Sequence, residues 1–171
     1  VVDEYGVVIT NIIYDITVVT NYNDVTVSPF LYAKGGNSGA GIGGRPHESH
    51  GLIVIAGGTI SANGHYSAGI GSGEFPSTGE YAGDATTLRQ GEIRITGGVV
   101  EATGGGGGAG IGGGENHSGG QVSISGGTVT ANGGSTAAGI GGGCYAYGHT
   151  IRISGGVVTA LGGDSGAGIG G

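Results

Sequence analysis

Residues 97–114 read Gly97-Gly98-Val99-Val100-Glu101-Ala102-Thr103-Gly104-Gly105-Gly106-Gly107-Gly108-Ala109-Gly110-Ile111-Gly112-Gly113-Gly114. A near copy runs from Gly126 to Gly143. Val100 and Ala102, then Ala109 and Ile111, alternate with other residues. A period of two marks strands that bury one face. Just upstream, Ile93 and Ile95 form a third such pair. Three short inward faces separated by glycine-rich corners describe a three-sided coil.

The pattern repeats outward in both directions. Ala-Gly-Ile-Gly occurs five times, with its isoleucines at Ile42, Ile70, Ile111, Ile140 and Ile169. The gaps are 28, 41, 29 and 29 residues. A second element, apolar-x-apolar-x-Gly-Gly-x-apolar-x-Ala-x-Gly, starts at Ile53, Ile93, Val122 and Ile151, with a degenerate copy from Val25 to Gly35. The unit is about 29 residues, and the long gap holds a 12-residue insertion within Glu74–Gln90. Such repeats stack coil on coil, with parallel strands about 4.8 Å apart. The expected fold is all-β: a three-sided parallel β-helix (β-solenoid) of about five repeat coils over residues 24–171. Val1–Asn23 lacks the repeat but is strand-like, and reads as an atypical first coil or cap.

Composition excludes the alternatives. Glycine makes up 47 of the 171 residues, against about 7% in an average chain. Disorder does not follow, because 36% of residues are hydrophobic and only 10% are charged. Collagen needs glycine at every third position and abundant proline, whereas proline numbers three. Helices are excluded by the glycine content, at about 1 kcal/mol per interior position. The net charge is -7 with five basic side chains, so there is no footprint for a nucleic acid. No apolar run approaches the about 20 residues of a bilayer span. The lone Cys144 makes no internal disulfide.

The unit Gly-Gly-x-Val-x-Ala-x-Gly-Gly-x-x-Gly-Ala-Gly-Ile-Gly-Gly-Gly resembles a repeat of large exported, adhesin-like surface proteins of Firmicutes. The resemblance covers residues 24–171 and implies a β-solenoid in an extracellular or cell-surface setting. Some related β-helical proteins bind carbohydrate. The resemblance thus implies a non-enzymatic structural or adhesin-type protein, with a carbohydrate-binding module as the alternative. Expected partners are copies of itself or cell-surface glycans, with neither nucleic acid nor membrane insertion.

Two candidate surfaces follow from the register. Gly41, Gly69, Gly110, Gly139 and Gly168 fall at outward positions of the Ala-Gly-Ile-Gly strand, each followed two residues later by another glycine. They are expected either to bare one face as a contact surface or to serve tight corners. The loops after this strand stack on one edge, the usual binding side of a solenoid. There Tyr81, Tyr145 and Tyr147 suit stacking on sugar rings, and Asn116 and His117 suit hydroxyls.

Catalysis and cofactors are expected to be absent. His47, Glu48, His50 and His117 do not have the spacing of a helical zinc motif, and no metal site is assigned. Calcium at Glu74, Glu80 or Asp84 is the one cofactor alternative. A glycosidase needs two carboxylates about 5–9 Å apart, and the outward column Ser61, Glu101, Thr130, Thr159 offers one acid. Arg94 and Arg152 fall on another outward face with Ser123 between them. The Ala167–Ile169 strand precedes Gly171 without a capping element, so the chain is expected either to continue or to stack on another copy as a fibre.

Overall fold

In the computed structural model, residues 29–75 and 91–171 are described. The expected cap at residues 1–23, and Glu80, Tyr81 and Asp84 of the insertion, lie outside them. The described residues contain strands and turns, with no helix.

Fourteen strands follow a fixed order. A partial first coil holds β1 (Phe30–Lys34) and β2 (Ile42–Gly43). Four complete coils follow: β3 (Leu52–Ile55), β4 (Thr59–Asn63) and β5 (Ile70–Gly71); β6 (Glu92–Ile95), β7 (Val99–Thr103) and β8 (Ile111–Gly112); β9 (Gln121–Ile124), β10 (Thr128–Asn132) and β11 (Ile140–Gly141); β12 (Ile151–Ile153), β13 (Val157–Leu161) and β14 (Ile169–Gly170). Every third strand pairs in parallel. The three sheets run β3-β6-β9-β12, β1-β4-β7-β10-β13 and β2-β5-β8-β11-β14. The expected β-solenoid is therefore present, with four full turns and a partial one where about five coils were expected.

Register places like on like. Ile53, Ile93, Val122 and Ile151 align, as do Ile60, Val100, Val129 and Val158, and Ala62, Ala102, Ala131 and Ala160. Ile42, Ile70, Ile111, Ile140 and Ile169 form the column of the third sheet. These columns make one continuous apolar core. The longer strands of the first two sheets mostly alternate as half-buried strands should, for example exposed Val99 and Glu101 around buried Val100. The last coil has a pairing partner on one side only. Ile153 and Ile169 are 41% and 51% exposed, while Ile124 and Ile140, one coil inward, are fully covered.

The third sheet corrects the expectation of a bare glycine face. Gly69, Gly110 and Gly139 are buried, and Gly41 and Gly168 are half-buried. A Cβ on Gly110 would lie 2.6 Å from the backbone nitrogen of Asn132 and 2.7 Å from the carbonyl oxygen of Gly139. Both groups belong to the next coil. The two-residue strand is drawn in against its neighbour, and its glycines are spacers between coils. The following glycine has a second reason: Gly112 has φ +131°, where L side chains are strained. Gly69, Gly110 and Gly139 are thus packed between coils and do not bare an outer face.

Gly112→Ala is expected to lower stability by about 3 kcal/mol or more, combining backbone strain with collision against Gly141. Gly57→Ala, where an added Cβ meets nothing within 4 Å, should change it by less than about 0.5 kcal/mol. Ile124→Ala should cost about 2–5 kcal/mol. Chemical unfolding of the three variants checks the ranking.

Candidate functional site

The corners after β2, β5, β8 and β11 stack on one edge, as the loop spacing predicts. His47 N–H donates to Glu74 O (2.9 Å), Phe75 N–H to Glu115 O (2.8 Å) and Asn116 N–H to Cys144 O (2.9 Å). His47, Phe75, Asn116 and Tyr145 therefore form a column. His47, Asn116 and Tyr145 have φ of 65°, 58° and 58°, the left-handed region that non-glycine residues seldom enter. Asparagine and histidine enter it more readily than other side chains, so Asn116 and His47 had a sequence signal for this turn and Tyr145 had none.

The candidate residues divide along this edge. Tyr145 and Tyr147 are 90% and 70% exposed. Asn116 is partly buried, and its side-chain amide donates to Phe75 O at 2.9 Å. His117 is fully buried and touches no solvent, which corrects its expected role as a hydroxyl-binding residue. Its ring meets Phe75 edge-on, with centroids 6.1 Å apart. Phe75 also meets the His47 ring edge-on at 5.9 Å. This aromatic stack inside the edge was invisible in the sequence, because its members are distant along the chain.

His50 is buried as well. The Nδ1 of His50 lies 3.0 Å from Gly51 O, and that of His117 3.0 Å from Ser118 O. A carbonyl only accepts, so Nδ1 bears the proton in the neutral His117 ring and its Nε2 is left as an acceptor. In His50 both ring nitrogens face carbonyls, Nδ1 at the shorter distance. His117 Nε2 is buried without a partner, and so is Ser72 Oγ. Burial lowers the pKa of both histidines below the ordinary value, against a smaller upward pull from the backbone carbonyls. For His117 the nearby charge of His50 lowers it further. Among the described residues, no group of three or more His, Cys, Asp or Glu side chains is placed to hold a metal ion. Cys144 is partly buried.

Ser72 interrupts a glycine column. Gly44, Gly113 and Gly142 are each pressed against a carbonyl of their own corner, from Glu48, His117 and Ala146. The corner after β5, which leads into the insertion, has Ser72 instead.

On the sheet faces, Arg94 stands in register with Ser123, and Ser123 with Arg152. Arg94 is tied to Glu92, two residues earlier on the same face, at 2.6 and 2.8 Å. That carboxylate was absent from the sequence reading, although the period of two places it there. Each partner draws the other further into its charged state. The exposed Glu101 lies on the neighbouring sheet, in register with Ser61 and Thr130.

Residues 53–74, 93–115, 122–144 and 151–171 match the beta helix repeat family, and together they span just over half of the chain. The chain belongs to the beta helix repeat family. No curated protein and no solved structure matches it. Each matched stretch takes in the three strands of one coil, and the first three run into the corner after the third strand.

Tyr145→Gly relieves a left-handed backbone conformation at an exposed position. It is expected to hold or raise stability, by up to about 1 kcal/mol. A thermal melt of the variant beside the parent checks this.

Proposed function

We propose that this beta helix repeat chain is a non-enzymatic structural solenoid of the extracellular or cell-surface kind. It holds its corner loops at fixed spacing along a rigid rod, in an adhesin-type role, and joins further copies of itself end to end. The supporting observation is the like-on-like register of the coils. Each coil offers the next the same isoleucine, valine and alanine columns and the same ladder of backbone groups. The natural complement of a coil is therefore another coil. Stacking of this kind is heterologous and propagates. Negative-stain microscopy and sedimentation over a range of concentrations test it. Rods that lengthen with concentration are expected, and single short rods throughout would refute the stacking.

A second reading is favoured by one feature of the edge. Tyr145 and Tyr147 present aromatic rings to solvent, and Tyr145 does so from a left-handed backbone conformation. Non-glycine residues held there are often functional. A carbohydrate module would use these rings as a stacking platform. A glycan array is the test: binding lost in Tyr145→Ala and Tyr147→Ala supports it, and binding retained in both, or absent from the parent, removes it.

A further inference from the structure

His50 and His117 sit on either side of the insertion-bearing corner. His50 belongs to the corner after β2 and His117 to the corner after β8, with Phe75 of the corner after β5 stacked between those corners. The His50 ring reaches across to the corner after β8, where its Nε2 is 3.5 Å from Gly119 O. The two rings therefore join three successive corners from inside. Their responses to a second proton differ. Protonated His50 gains an N–H facing the Gly119 carbonyl. Protonated His117 gains an N–H with no acceptor, in a fully buried position against the Phe75 ring. A buried charge without a partner is strongly unfavourable.

Among the described residues the surroundings supply no remedy. There the stacked corners contribute Arg45, His47 and Glu48 after β2, Glu74 after β5, Glu115 after β8, and Cys144, Tyr145, Tyr147 and His149 after β11. The adjoining strand β6 adds Glu92 and Arg94. Arg45 is paired with Glu48, and Arg94 with Glu92, both on the solvent side. The influences on the two buried rings are burial, their carbonyl partners and, for His117, the charge of His50; no carboxylate is among them.

We propose that this corner stack is an acid-sensitive joint of the solenoid, in which protonation of the buried His117, beside His50, loosens the packing of the corners around Phe75. The sign follows from linkage. The native rings resist protonation, whereas the unfolded ones accept it near the ordinary histidine value of 6.5. The unfolded state thus binds more protons below that value, and the histidines' contribution to stability falls as the pH drops. At neutral pH the joint is closed. In a mildly acidic setting it weakens while the flanking coils keep their ladders.

The test compares melting and amide protection at about pH 7 and about pH 5 in the parent chain, His50→Gln, His117→Gln and His149→Gln. The parent should lose several degrees of thermal midpoint and lose protection first at Asn116 and Gly119. His117→Gln should flatten this dependence most, and the exposed His149→Gln should leave it unchanged. Parallel pH profiles for the parent and His117→Gln would overturn the proposal. If the glutamine variants fail to fold, ring titration by NMR in the parent decides. A His117 ring that titrates below the ordinary histidine value, with corner protection falling as it charges, supports the joint. A ring that titrates at the ordinary value with no change in protection overturns it.

Discussion

The close approach of one coil's Gly-Ile-Gly strand to the next coil's backbone governs the whole structure. At Gly110 the room left by Asn132 and Gly139 does not admit a methyl group. That approach lets a two-residue strand close a three-sided coil. It seats Ile70, Ile111 and Ile140 in the core at the coil spacing that the hydrogen-bonded ladders of the other two sheets require. Isoleucine columns supply the apolar burial and glycine supplies the proximity. A longer third strand would not need the glycines, and a bulkier residue would push the coils apart at one corner of the triangle.

This constraint separates what the fold requires from what it leaves open. The coil positions are nearly determined, because each must match its neighbour above and below. The corners after the third strand are not so bound. They differ in length and side chains, and they hold the exposed tyrosines, the left-handed residues and the buried histidines. The sheet faces present mostly small polar and aliphatic groups, with Phe30 and Tyr32 of β1 and the Glu92–Arg94 pair of β6 among the exceptions. The edge also has the buried polar groups with least support, His117 Nε2 and Ser72 Oγ. Local opening of the solenoid is thus expected to begin there.

The fold was legible because two periods coincide in the sequence. Val100-x-Ala102 and Ile93-x-Ile95 gave the strands, and the recurrence of Ala-Gly-Ile-Gly gave the coil. The direction of the glycines was not legible. Counting alternate residues from Ile111 places Gly110 outside, but a two-residue strand flanked by tight corners turns that side toward the neighbouring backbone. The site was legible in part. Loop stacking followed from the repeat length, so Tyr145 and Tyr147 were found on the edge. The inward His117 was not, because nothing in Glu115-Asn116-His117-Ser118 reveals that Phe75, from the preceding coil, covers its ring. The Glu92–Arg94 pair was legible from the period of two, which puts both side chains on one outward face of β6.

The central claim is that the glycine strand is the packed interior of the solenoid. Native-state hydrogen exchange tests it most directly. The amides of Gly110, Ile111, Gly139 and Ile140 donate to Ala138, Gly139, Ala167 and Gly168 carbonyls of the next coil. They should exchange as slowly as the amides of β7 and β10, by global unfolding alone. Exchange of these four amides at rates typical of exposed turns, while β7 and β10 remain protected, would contradict the account.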